Sequence, residues 1–168
     1  MDRNKSLKLI VVLIACALCV NILFGCSRLS EEDLLPKSYD FKYNDIIIST
    51  DDNMGELLSA LGEPRAYDEA PSCAFEGLDK LYRYNGFEIR TYPDGKQDLV
   101  YQIIFLNDLV STQEGIRIGS TRQDVISRYG DDYTDLGSGI VYKCANCNLQ
   151  FIFRDGKVSS VIYKSRVN

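Results

Sequence analysis

One pattern occurs twice in this chain, and in both places it predicts a short capped helix that precedes alternating strands. It covers residues 51–62 and again residues 119–130. In the second copy Asp124 follows Thr121 at the capping-box spacing, in which each side chain accepts a hydrogen bond from a backbone N–H group at the helix start. Gly130 follows the apolar residues, where a helix most easily ends. The corresponding residues of the first copy are Asn53, Glu56 and Gly62.

Alternating polar and apolar residues after each predicted helix indicate β-strands. Two such runs flank Asn85-Gly86, a strong signal for a two-residue hairpin, whereas the polar residues 65–79 predict a loop. An Asp-Gly-Lys turn precedes the third run in both copies. We therefore predict an α+β fold of two tandem units, residues 45–107 and 108–168. Each unit has a short helix and a three-stranded antiparallel meander, with the helices on one sheet face, and the strands are either separate or joined into one sheet.

The repeated pattern also resembles a known structural unit. Gly119, Thr121, Asp124, Val125 and Gly130 match the unit of the beta-lactamase-inhibitory-protein fold, and the small outer-membrane lipoproteins of the SmpA/OmlA type have a similar unit. The resemblance implies tandem units whose helices cover one sheet face while the other face is open to partners. It bears on fold more than on function, because one fold hosts unrelated activities.

The N-terminal segment, residues 1–25, has the form of a secretion signal: basic residues precede the apolar run Leu9–Phe24. This run is shorter than the ~20 residues that a helix needs to span a bilayer. It ends at Leu23-Phe24-Gly25-Cys26, which resembles the lipobox of bacterial lipoproteins, although Phe24 replaces the usual small residue. The resemblance implies that Cys26 carries diacylglycerol and an acyl chain such as palmitate. An uncleaved signal anchor is the alternative.

The segment after the signal is polar, and the chain as a whole is acidic. Residues 26–44 have no periodic apolar face and predict a tether. The chain carries 19 basic and 24 acidic residues, and removal of residues 1–25 would make it more acidic still, since that segment is net basic. This balance argues against nucleic-acid binding and against electrostatic adsorption to anionic lipid. We therefore expect the lipid on Cys26 to provide the membrane contact.

The absence of histidine limits the chemistry that this chain can perform. With no histidine, the Ser-His-Asp and Cys-His arrangements and the main zinc ligand are all missing. No phosphate-binding glycine loop or dinucleotide fingerprint is present. The acidic pairs lack the alternating spacing of calcium ligands. We therefore predict a protein that is not an enzyme and has no cofactor and no metal site.

Three cysteines follow Cys26 in the sequence: Cys73, Cys144 and Cys147. The pair Cys144 and Cys147 brackets a predicted turn between strands, where a disulfide could fasten the hairpin. Free or redox-active thiols are one alternative, although a reactive thiol usually sits at a helix N-terminus. A metal half-site shared with Cys73 is another.

Aromatic residues alternate along the predicted strands and are the candidates for a binding surface. Regular alternation places Tyr101, Ile103 and Phe105 on one face. One interpretation is that the aromatic side chains fill the core. The other is that some tyrosines are exposed and dock a partner, because tyrosine offers a large rigid surface at low entropy cost. The partner-binding candidates are Tyr82, Tyr84, Tyr101, Tyr142 and Tyr163.

These patterns together predict a lipid-anchored extracytoplasmic protein with a non-catalytic role in the cell envelope, either structural or in binding a protein partner. It would lie at the cell membrane, or at the outer membrane if the cell has two. One alternative is an inhibitor or sensor of a secreted hydrolase, which follows only from the resemblance to the inhibitor fold. Another is a thiol redox protein that uses Cys144 and Cys147.

Overall fold

The structure, a computed structural model, describes residues 38–145 and 147–166. The signal segment, Cys26 and most of the predicted tether lie outside the described residues. The strands are β1 (Phe41–Tyr43), β2 (Ile46–Ile48), β3 (Ala66–Pro71), β4 (Leu78–Arg83), β5 (Phe87–Asp94), β6 (Gln97–Phe105), β7 (Thr134–Asp135), β8 (Gly139–Lys143), β9 (Cys147–Arg154) and β10 (Lys157–Ser165). The helices are α1 (Met54–Leu61) and α2 (Arg122–Tyr129).

The predicted α+β fold of two tandem helix-and-meander units is wrong. The described part of the chain is mostly β, because eight strands form one antiparallel sheet and the two helices are short. The strand order is β3-β4-β5-β6-β10-β9-β8-β7, and β1 and β2 form a separate hairpin. Strands β6 and β10 pair directly at the centre, with Ile103 opposite Tyr163. The sheet is therefore continuous from one edge to the other.

The segment predicted as a loop, residues 65–79, contains an edge strand, and a second short edge strand precedes β8. Within residues 65–79, β3 pairs with β4 along its whole length, and β7 pairs with β8. All residues of β3 except Ala66 are exposed, and both residues of β7 are exposed. An edge strand that buries so little carries no apolar alternation, so the sequence gives no signal for it.

One face of the large sheet is covered by both helices and by the β1–β2 hairpin. Met54 of α1, Val125 of α2 and Phe41 of β1 belong to one buried cluster that includes Ile103 from the sheet. Because successive strand residues point to opposite faces, the intervening residues point away from this core. Among the described residues, neither helix covers that second face, which we call the open face.

The packed region begins before the predicted boundary between tether and fold. Phe41 lies within the predicted tether, residues 26–44, yet it is fully buried. Its ring contacts the rings of Phe87 and Phe105, each with a centroid distance of 4.9 Å. The end of the predicted tether is therefore part of the core.

Both helices have eight residues and end at a glycine. No helix in the described part is long and apolar enough to cross a membrane. Thr121 and Asp124 form the predicted capping box at the start of α2. At α1 the Asn53 side chain accepts from the N–H of Gly55 instead. Capping side chains thus fix where each helix starts.

Gly130 adopts a backbone conformation that other residues rarely reach, with φ 86° and ψ −172°. No atom lies within 4 Å of an added Cβ, so a substitution there tests backbone strain alone. We expect Gly130→Ala to lower the free energy of unfolding by about 1–3 kcal/mol, measured by urea denaturation followed by circular dichroism. Arg128→Ala in the preceding turn is the control, and an equally small loss in both variants would contradict the strain.

Candidate functional site

The candidate site is a groove on the open face of the sheet, and its floor is a row of polar side chains. Arg90 of β5 pairs with Gln102 of β6, Gln102 with Lys164 of β10, and Lys164 with Asn148 of β9. Directly paired residues point to the same face of an antiparallel sheet. All four line one cavity of about 880 Å³.

Three aromatic side chains form an apolar patch in this groove. Phe75, from the loop between β3 and β4, lies with its ring 5.1 Å from the ring of Tyr92. Tyr92 in turn lies edge-on to Tyr101 at 6.2 Å. The cavity therefore combines polar floor residues with an aromatic patch, a combination that is common in ligand sites.

A β-bulge places Tyr101 in the groove. Thr91 pairs with Val100 whereas Arg90 pairs with Gln102, so β6 carries one extra residue at Tyr101. Tyr101 thereby leaves the face of Ile103, and the prediction that Tyr101, Ile103 and Phe105 share one face is wrong. The Nζ atom of Lys164 lies 5.5 Å from the Tyr101 ring centroid, within cation–π range.

Asp51 accepts hydrogen bonds from two residues that line one end of the groove. The hydroxyl of Tyr92 donates to Oδ1 of Asp51 at 3.2 Å, and the hydroxyl of Ser165 donates to the same oxygen at 2.7 Å. Burial, with the nearby Asp51 carboxylate, raises the pKa of Tyr92 to about 12. Tyr92 therefore stays a neutral donor, and its ring is held in place.

A buried carboxylate positions the guanidinium group of Arg90 on the groove floor. The Glu88 side chain is 4% exposed. Its Oε1 accepts from Nε and Nη2 of Arg90 at 2.9 and 2.7 Å, and its Oε2 accepts from Nη2 of Arg83 at 3.2 Å. Two arginines around one carboxylate leave an excess of positive charge at this point of the open face.

The rim of the groove on the β3–β4 side is acidic. Asp68 and Asp79 are both exposed and both line the cavity. Lys80, also in the lining, forms an ion pair with Asp98 at 2.6 Å. The two ends of the groove thus carry opposite charge.

Four of the five tyrosines predicted to bind a partner lie in the core instead. Tyr82, Tyr84, Tyr142 and Tyr163 are between 1% and 7% exposed, so they offer almost no surface to a partner. Burial raises the pKa of Tyr82 and Tyr163 and raises the pKa of Tyr84 and Tyr142 to about 12. Only Tyr101 of the predicted set lies in the groove.

Two of the buried tyrosines have a structural role that the sequence did not reveal. The hydroxyl of Tyr84 donates to the carbonyl of Gly62, at 3.3 Å, and that of Tyr142 donates to the carbonyl of Gly130, at 2.8 Å. Tyr142 therefore connects the end of α2 to strand β8, and Tyr84 connects the end of α1 to the turn that follows strand β4.

The structure joins Cys144 and Cys147 by a disulfide across the hairpin between β8 and β9. Both residues are buried, and neither is in a helix. Cys73 is an exposed free cysteine, so it does not join the pair in a metal half-site. Among the described residues, no group of three or more acidic, cysteine or histidine side chains could hold a metal ion.

Sequence reasoning missed Arg90, Lys164, Phe75 and Tyr92 as residues of the groove. Arg90 and Lys164 directly follow Ile89 and Tyr163, and successive strand residues point to opposite faces, so each could have been placed opposite an apolar side chain. Only the pairing register brings the two residues to the same row, however, and a single sequence does not reveal the register.

No protein-family model matches this sequence, and no curated protein matches it. Among solved structures, the chain is similar to an extracellular protein containing an SCP domain from Bacillus anthracis, with 14% identity and a TM-score of 0.51 over 83% of this chain and 50% of that one. A DUF4309 family protein (YjgB) from Bacillus subtilis gives 18% identity and a TM-score of 0.41 over 68% and 78%. This chain spans about half the length of the first structure. The likeness to the first structure, at 14% identity, extends to the fold alone. Neither protein is described as a beta-lactamase-inhibitory protein or a SmpA/OmlA lipoprotein.

Proposed function

We propose that this protein is a lipid-anchored extracytoplasmic binding protein that holds a protein partner in the groove of its open sheet face. The observation that carries the proposal is the cavity of about 880 Å³ between Arg90, Tyr101 and Lys164. In the aromatic patch the side chains of Phe75 and Tyr101 are partly exposed whereas that of Tyr92 is buried. Partly exposed aromatic side chains beside charged floor residues are suited to partner recognition. The partner would be a protein of the cell envelope or a secreted protein.

The proposed location rests on the N-terminal sequence. The lipobox-like stretch ends at Cys26, and lipid on that residue would hold the folded region outside the membrane. The similar Bacillus anthracis protein is described as extracellular, which agrees with this location. Residues 27–37 would set the reach of the tether, at most ~3.6 Å per residue.

A thiol redox function receives less support from the arrangement of the cysteines. Cys144 and Cys147 are buried in a strand hairpin, whereas a reactive pair needs access and a positive environment such as a helix N-terminus. If the protein is instead an inhibitor or sensor of a secreted hydrolase, the partner in the groove would be that hydrolase. The identity of the cross-linked partner in the experiment below separates it from other partners.

Photo-cross-linking tests the proposal in the cells that make the protein. The full chain would carry p-benzoylphenylalanine in place of Tyr101, and we expect one defined partner to be linked, since this residue lies in the groove. The matched control carries it in place of Tyr67, which is 46% exposed but does not line the cavity. The measurement is the set of covalent adducts that form when the cells are illuminated.

Two outcomes of this experiment would count against the proposal. Equal cross-linking from positions 101 and 67 would mean that the groove has no special part in binding. If neither position forms an adduct, the proposal that a protein partner binds this face is contradicted. The variant Cys26→Ser tests the lipid anchor. We expect labelled palmitate to be incorporated into the wild-type chain and not into this variant, and equal incorporation in both, or none in the wild type, would contradict the lipid anchor.

A further inference from the structure

Acidic and basic side chains lie at different ends of one row of paired residues in the groove. This arrangement restricts which charges a bound ligand can carry. The row runs from Asp68 of β3 through Leu81 and Arg90 to Gln102 and Lys164. Acidic side chains stand at its β3 end and basic side chains at its centre and far end. A ligand with one kind of charge would be repelled from one end or the other.

Strand spacing gives the distance between the two charged ends. Neighbouring strands lie ~4.8 Å apart, so the backbone of Asp68 is roughly 10 Å from that of Arg90 and roughly 19 Å from that of Lys164. An extended chain advances ~3.3 Å per residue. About three to six residues of an extended segment would therefore span the row.

The charged groups of the row retain capacity to bind a ligand. The two bonds to Glu88 occupy Nε and Nη2 of Arg90, and a guanidinium group has five donors. Among the described residues, no carboxylate forms an ion pair with Lys164, and no cation forms one with Asp68 or Asp79. Opposite charges on a ligand would complement both ends.

We propose that the occupant of the groove is a short extended segment of the partner protein with a basic residue at one end, an aromatic or apolar residue in the middle, and an acidic residue at the other end. The segment crosses the strands. Its basic residue lies against Asp68 and Asp79, and its acidic residue lies against Arg90 and Lys164. The middle residue contacts the aromatic patch. This inference rests on the proposed function and adds the chemistry of the partner.

Three capped pentapeptides test the order of charges: Lys-Ser-Tyr-Ser-Glu, Lys-Ser-Tyr-Ser-Lys and Glu-Ser-Tyr-Ser-Glu. Each would be titrated against the full chain in detergent micelles, with the tyrosine rings of the protein labelled with ¹³C. We expect the resonances of Tyr92 and Tyr101 to shift. The mixed-charge peptide should bind roughly fivefold more tightly than either other peptide, the upper range for an exposed ion pair, and 0.5 M salt should remove most of this preference.

Two charge reversals sharpen the test because they predict opposite changes. Lys164→Glu makes that end of the groove more acidic and should shift the preference toward the doubly basic peptide. Asp68→Lys should shift it toward the doubly acidic peptide. Asp68 is exposed, so its substitution should leave the fold intact even if Lys164→Glu disturbs the ring of Tyr101.

The outcomes distinguish this inference from the proposed function. If all three peptides shift Tyr92 and Tyr101 with equal affinity and neither reversal changes the order, the charge inference is overturned while the groove remains a binding site. If no peptide shifts these rings and the Tyr101 cross-link is also absent, both are overturned. If each charge reversal changes the preferred peptide in the expected direction, the proposed order of charges is supported.

Discussion

Phe41→Ala is expected to lower the free energy of unfolding by about 3–5 kcal/mol, the usual loss when a large aromatic side chain is removed from a core. Phe41 is fully buried and packs against Phe87 and Phe105, with a longer ring contact of 6.2 Å to Tyr163. These three partners come from strands β5, β6 and β10, the centre of the sheet. Loss of the ring would leave a cavity where the hairpin meets the sheet.

Urea denaturation of the full chain in detergent micelles, followed by far-ultraviolet circular dichroism, measures this loss. The control is Lys42→Ala in the same strand, because Lys42 only pairs with the exposed Asp45 and such pairs contribute ~0–1 kcal/mol. If both variants lose the same small amount, the segment around Phe41 behaves as a tether and not as part of the core.

The sequence predicted those elements whose signal is local. Thr121, Asp124 and Gly130 mark both ends of α2 because capping depends on residues a few positions apart. The hairpin at Asn85-Gly86 follows from turn chemistry in the same way. Phe41, by contrast, lies in a strand of only three residues, and its partners are distant in sequence. Local periodicity cannot detect such a contact.

The sheet and the groove depend on pairing between strands that are distant in the sequence, and the sequence alone did not predict this pairing. The contact of β6 with β10 joins all eight strands, and nothing in either strand alone indicates this neighbour. The bulge at Tyr101 reverses the face of one side chain without any glycine to signal it. Tyr101 was named as a binding residue, but on the assumption of regular alternation, and Tyr92 was overlooked.

A second large effect is expected when the buried Glu88 loses both of its arginines. Arg83→Met with Arg90→Met would leave a carboxylate that is 4% exposed without its cations. Breaking a buried pair usually costs about 3–5 kcal/mol. Because the two arginine side chains are 45% and 48% exposed, water screens part of the interaction, and we expect a loss of about 2–4 kcal/mol.

Adding Glu88→Leu to this double variant should recover most of the lost stability, since an apolar residue in place of the ion group avoids the cost of a buried unpaired charge. Urea denaturation of the two variants measures the recovery, with Lys42→Met as the control for an exposed pair. A further loss in the triple variant would contradict the cost assigned to the unpaired carboxylate, because the hydrogen bonds of Glu88 to both arginines are already absent from the double variant.

The recovered variant would also separate the two roles of Arg90. Glu88 holds the guanidinium group of Arg90 through two hydrogen bonds, so a single substitution of either residue changes stability and the groove together. The triple variant would be folded but would lack the positive charge at the centre of the floor. A folded triple variant that still prefers an acidic residue at this position would place the recognition on Lys164 instead. The buried Glu88 therefore links the stability of the open face to the charge that it presents.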